Sequence, residues 1–171
     1  VPVNAVYELR RIIGDGEEEV QVPHEEQQVR FTASDVALVA RLMDGKDPDY
    51  RKLIPASFET TAKLKRSDFR NITKVSSLFA RESAGSITIK VSDGQVSINS
   101  IASQLGENTA EAEAVVSGGG EITLNSRYLL DALNAFTTEQ IEFCFNGKLE
   151  PSLIRCSEDS EYSHIVIPLR T

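Results

Sequence analysis

Apolar side chains recur along this chain in two alternating rhythms, a helical one and a strand-like one, and the alternation has a fixed order. From Asn4 to Ile13, Val6, Leu9 and Ile13 fall on one helical face, with Asn4 as the expected N-cap and Gly14 as the stop. Strand-like runs follow at Glu19 to Val22, Gln28 to Ala33 and Val36 to Leu42. A second unit opens on a strand, Phe58 to Leu64, and continues into a helix from Arg66 to Ala80. Three strands come next: Ser86 to Val91, Val96 to Ile101 and Ala112 to Ser117. Ser92-Asp93-Gly94 joins the first two of them, its Asp-Gly step supplying the positive φ of a tight hairpin. A third unit repeats the order, with a strand at Glu121 to Leu124, a helix from Arg127 to Phe136, and strands at Ile141 to Phe145, Ser152 to Cys156 and Tyr162 to Ile167. Strand, helix and three strands thus occur twice in full. The first unit lacks its opening strand, which predicts an α+β chain that begins in mid-domain.

The length of 171 residues, with 40% hydrophobic and 26% charged, describes a globular chain with room for a real core. No window approaches the roughly 20 apolar residues of a membrane span, and no basic start leads into an apolar signal core, so the expected location is the cytoplasm. Cys144 and Cys156 lie in strand-like segments without CxxC spacing and read as buried, reduced thiols.

Net charge is −8, which by itself argues against nucleic acid as a partner. Its distribution argues the other way. Between Ala62 and Arg81 six basic residues face a single acid, Asp68, leaving the rest of the chain at −13. On the second helix, Phe69, Ile72, Val75 and Phe79 share the expected packing side at about 100° per residue, while Arg66, Arg70 and Lys74 fall together on another. A cationic stripe on an acidic protein suits loose binding to a phosphate backbone. The bland alternative is a solvated helix face.

Catalytic chemistry is not visible. Ser117 to Glu121 (SGGGE) lacks the Lys-Ser/Thr of a phosphate loop. His24 and His164 lack a nearby nucleophile or carboxylate cluster and read as plain strand residues. Glu17, Glu18 and Glu19 read as a solvated turn rather than a metal site. No cofactor is expected.

The tail is different in kind. Ending on Pro168-Leu169-Arg170 leaves apolar side chains beside a free carboxyl group, so the tail should be docked. With Pro48, Leu53, Leu149 and Pro151 it reads either as core or as an apolar groove for an extended peptide, rimmed by Lys52 and Arg170.

Three strings in order, DGKDPDYRKLIP (Asp44 to Pro55), NSRYLLDALNAF (Asn125 to Phe136) and IVIPLR (Ile165 to Arg170), resemble the bacterial DNA polymerase III beta subunits, the sliding clamps. The resemblance implies the DNA-clamp fold, with helices on one face of antiparallel sheets. It makes residues 1–54 the second half of a middle domain and 55–171 a complete C-terminal domain. It further implies a non-catalytic processivity factor that closes as a homodimeric ring around double-stranded DNA. Arg10, Arg11, Arg66, Arg70, Lys74 and Arg127 would face the DNA. A peptide pocket for the polymerase III catalytic subunit, the clamp loader and other proteins with a clamp-binding motif would be formed by Pro48, Lys52, Leu53, Asn125, Tyr128, Leu149, Pro151, Ile165, Val166, Ile167, Pro168, Leu169 and Arg170. Ring closure would use Leu78, Phe79, Glu111 and Glu113. Removal of Pro168 to Thr171 is expected to abolish peptide binding with little loss of folding stability. The competing reading is a β-rich peptide-binding module with no DNA role.

Overall fold

A computed structural model describes residues 1–13, 19–33, 35–45, 49–102, 106–156 and 162–170. The chain divides into two units, Val1–Pro48 and Asp49–Thr171. In the first, helix α1 (Val3–Ile13) lays Ala5 and Leu9 against a hairpin of β1 (Gln28–Ala33) and β2 (Val36–Arg41), over a small core of Val29, Phe31 and Ala40. The helix starts earlier than expected, because the Ala5 amide already donates to the Pro2 carbonyl at 3.0 Å. Asn4 therefore lies inside the first turn and is not the cap. The expected strand at Glu19 to Val22 shrinks to isolated bridges, Gln21 to Thr32 and His24 to Val29. Pro23 sits between them and has no N–H to give, although its carbonyl accepts from Arg30 at 3.0 Å. Gly14, Glu17, Glu18 and Pro48 lie outside the described residues.

The second unit carries the repeat. Its first half is β3 (Thr60–Lys65), α2 (Arg66–Phe79, followed by a 3-10 turn at Ala80–Ser83), β4 (Ser86–Ser92), β5 (Gln95–Ala102), β6 (Gly106–Glu113) and β7 (Val115–Ser117). Its second half is β8 (Gly120–Asn125), α3 (Ser126–Ala135), β9 (Gln140–Phe145), β10 (Ser152–Cys156) and β11 (Ser163–Val166). The opening strand of each half completes the sheet of the other. Thus β8 pairs with β4 in the order β6-β5-β4-β8, and β3 pairs with β9 in the order β11-β10-β9-β3-β7. Every pairing is antiparallel. The two halves are locked together because neither owns a complete sheet.

The single strand expected at Ala112 to Ser117 is two strands. At Ala114, whose amide donates to the Gly94 carbonyl at 2.8 Å, the chain leaves β5 and crosses to pair with β3 as β7. The tail repeats this manoeuvre: beyond β11, Pro168 is buried and the Leu169 amide donates to the Thr123 carbonyl of β8 at 2.9 Å. The docked tail is the second half's counterpart of β7. Removing Pro168 to Thr171 would therefore strip a buried proline and a bond that ties one sheet to the other, which argues against the expected small loss of folding stability.

One core fills the space between the sheets and the helices, with Phe69, Phe143, Phe145, Ile89, Ile98, Ile122, Leu129 and Leu133 fully buried. The buried face of α2 is rotated from the expected one. Phe69, Thr73 and Ser76 face the core, while Val75 is 45% exposed and Ile72 and Phe79 are half-buried. Two hydroxyl residues are tolerated inside because the Thr73 hydroxyl donates to the Phe69 carbonyl at 2.7 Å and Ser76 accepts from Asn108 at 3.5 Å. Both cysteines are buried and neither is in a disulfide; burial pushes the Cys144 thiol up, keeping it protonated.

Candidate functional site

Two surfaces of the second unit carry the chemistry, and α3 belongs to both. The first is the outer side of the helix pair. Arg66, at the start of α2, donates from Nε to the Thr138 carbonyl at 3.0 Å and from Nη1 to the Leu133 carbonyl at 3.4 Å. It thereby satisfies carbonyls at and just beyond the C-terminal end of α3, where a cation is electrostatically favoured. Arg70, one turn on, reaches Asn134 of α3 at 3.5 Å and stays exposed, as does Lys74. Arg127 stands exposed in the first turn of α3, which Asn125 caps by accepting from the Arg127 amide at 2.9 Å. The stripe thus divides: Arg66 is a strut, while Arg70, Lys74 and Arg127 present their charge to solvent. Arg10 and Arg11, in the first unit, are exposed in the last turn of α1, and Arg11 pairs with Glu8 at 2.9 Å.

The second surface is a cavity of about 370 Å³ between α3 and β11, lined by Tyr128, Asp131, His164, Ile165, Val166 and Ile167. Its shape comes from the sheet edge, where Ser152 donates its hydroxyl to the Val166 carbonyl at 3.0 Å and sets the exit of β11. Its outer wall is braced by aromatics: Tyr162 meets Phe136 edge-on at 5.0 Å, and the Tyr162 hydroxyl is 3.1 Å from His164 Nδ1. Of the residues expected at a peptide pocket, the structure brings Tyr128, Ile165, Val166 and Ile167 together. Asn125 does not line the cavity; it caps α3 and donates to the Ala84 carbonyl at 3.0 Å. Pro168 points inward, Leu169 is half-buried, and Arg170 is exposed. Leu149 is exposed and Pro151 half-buried at the β9–β10 turn, while Lys52 pairs with Asp49 at 3.5 Å and Leu53 is 41% exposed in a 3-10 turn.

Sequence reasoning missed Asp131, and it counted His164 in the tail that walls the pocket while reading it as a plain strand residue. Asp131 lies one helical turn beyond Tyr128 and could have been found from that spacing. His164 reads as an ordinary strand residue because its partners, Tyr162 and Asp131, come from a strand lead-in and a helix. Burial lowers its pKa, partly opposed by the Asp131 carboxylate. The unfolded chain then binds the proton more readily, so this contribution to stability is complete above the ordinary value of 6.5 and is lost as pH falls through the lower folded value. Replacing His164 by Gln should flatten the pH dependence of unfolding free energy as pH falls below about 6.5, measured by denaturant titration. An unchanged slope would show that His164 does not carry it.

The family profile described as the DNA polymerase III beta subunit, C-terminal domain, matches residues 51–170. The chain belongs to the DNA polymerase III beta subunit family. It is 31% identical over 175 residues to the beta sliding clamp of Staphylococcus aureus, covering 100% of this chain and 46% of that one. Among solved structures it resembles the DNA polymerase III subunit beta of Pseudomonas aeruginosa, with a TM-score of 0.82 at 25% identity over 100% of this chain and 47% of that one. The sliding clamp of Bacillus subtilis gives a TM-score of 0.81 at 29% identity, over 100% and 46%. The chain spans about half the length of the relatives it matches.

In this beta-subunit fold the residues expected at ring closure lie on two elements. Leu78 is 49% exposed, off the core side of α2, and Phe79 is half-buried at its end. Glu111 and Glu113 are exposed on β6, the outermost strand of its sheet, with Gln95 reaching Glu111 at 3.5 Å. The glycine run between β7 and β8 answers a packing need. A Cβ on Gly118, at φ +76°, would come 1.9 Å from the Glu59 carbonyl oxygen. No helix among the described residues is long and apolar enough to cross a membrane, and no group of three or more His, Cys, Asp or Glu among them is placed to hold a metal ion.

Proposed function

We propose that this chain is the C-terminal portion of a DNA sliding clamp, with residues 1–54 forming the second half of a middle domain and 55–171 the last domain. The complete protein is a non-catalytic processivity factor of the cytoplasm, a homodimer closed around double-stranded DNA. Arg70, Lys74 and Arg127 face the duplex without reading its sequence, with Arg10 and Arg11 adding charge. Leu78, Phe79, Glu111 and Glu113 meet the next subunit. The cavity between α3 and β11 takes extended peptides of the polymerase III catalytic subunit, the clamp loader and other partners.

The observation that carries the DNA role is the position of Arg127. A cation at a helix N-terminus opposes the helix dipole by about 0.3–1 kcal/mol, so local stability does not call for it. Arg66, the first residue of α2, is compensated by the carbonyls at the end of α3. Arg127 remains exposed, as do Arg70 and Lys74, on a protein of net charge −8. Acidic surroundings keep such a molecule off DNA in general, so enclosure rather than affinity must provide retention.

The test is topological. A complete clamp chain containing this segment, assembled on nicked circular DNA, should stay bound at a salt concentration that defeats simple ionic binding, and should leave when the circle is linearised. Equal retention on circular and linear DNA would overturn the enclosure.

A further inference from the structure

We propose that Asp131 makes the cavity between α3 and β11 select peptides that carry a cationic side chain, arginine or lysine, beside their apolar anchor. This rests on the reading of that cavity as a peptide site. Its floor, Ile165 to Ile167, offers apolar contact, and about 370 Å³ accommodates apolar side chains of a short extended segment. Asp131 is the one acidic side chain in the lining, and it is exposed. Its carboxylate forms no ion pair among the described residues; even Arg127, four residues earlier on the same helix, does not reach it. His164 does not neutralise it either, because burial favours the uncharged ring.

The fold does not require a carboxylate there. The two halves of the unit each run a six-residue strand directly into a helix, β3 from Thr60 and β8 from Gly120, and the fully buried Phe69 and Leu129 fall at matching places. In that register the counterpart of Asp131 is Asn71, exposed and neutral. Asp131 therefore carries a charge that its counterpart does without. Tyr128, one turn back on the same face and 59% exposed, presents a ring on which a guanidinium pairing with Asp131 can rest. An exposed carboxylate at a cavity rim contributes to selection and encounter more than to affinity, and its effect must fade with salt.

The experiment uses the 171-residue chain and short fluorescent peptides ending in Leu-Phe, with arginine or its neutral analogue citrulline at each of the three positions before that anchor. At low salt, arginine in one of those positions should bind about threefold tighter than citrulline. Asp131→Asn should abolish that preference, Asp131→Glu should retain it, and 0.5 M salt should erase it, as screening at about that ionic strength requires. No preference for arginine, or a preference that survives in Asp131→Asn, overturns the inference while leaving the peptide site intact. Failure of every peptide to bind the unsubstituted chain overturns the peptide site, and this inference with it.

Discussion

Replacing Phe143 by alanine should lower the unfolding free energy by about 3–5 kcal/mol, the range found where a buried aromatic leaves a cavity that cannot collapse. Phe143 is fully buried in the middle of β9, opposite Ala62 of β3 on one side and Ile154 of β10 on the other. Its ring lies 5.4 Å from that of Phe69 on α2 and 5.4 Å from that of Phe145. Those neighbours are held by a helix and by hydrogen-bonded strands, so none can move into the space without breaking a ladder. Chemical denaturation at constant slope measures the loss. The comparison is Val115→Ala on the short edge strand β7, where a residue 75% exposed should change stability by less than about 0.5 kcal/mol. A loss below about 1 kcal/mol at Phe143 would mean that the sheets relax inward, contrary to the interlocked topology.

That topology also explains which parts of the molecule could be read from the chain alone. Ile141 and Phe143 alternate with Gln140 and Glu142, and Leu129, Ala132 and Leu133 share a helical face, so these strand and helix identities follow from period alone. The crossing at Ala114 does not. Ala112, Ala114 and Val116 keep the same alternation straight through it, because both sheets turn the same side of the strand inward. On α2 the amphipathic pattern misleads, since Thr73 and Ser76 are buried by satisfying their hydroxyls, and no hydrophobicity argument sees that. The cavity was half legible for a similar reason. Its apolar wall, Ile165 to Ile167, announces itself as an apolar tail, whereas Asp131 and His164 become neighbours only when α3 packs beside β11.

Reversing Arg70, Lys74 and Arg127 to glutamate in a complete clamp chain should shift salt-dependent DNA binding far more than any change at Arg66. Each phosphate contact contributes about 0.9 to the logarithmic salt slope, so loss of three contacts removes about 2.7 from it. Between 50 and 200 mM salt that amounts to a roughly 40-fold smaller fall in affinity, on top of weaker binding throughout. Arg66→Gln should behave in the opposite way. Its guanidinium is committed to the Thr138 and Leu133 carbonyls, so its loss should cost about 1–2 kcal/mol of stability and leave the slope unchanged. Four cations on one helix pair therefore separate into two classes by a single pair of measurements, salt titration of DNA binding and denaturant unfolding. If Arg66→Gln flattens the slope as much as one of the exposed substitutions does, its bonds to α3 are exchanged for phosphate in the complex, and the division of the stripe fails.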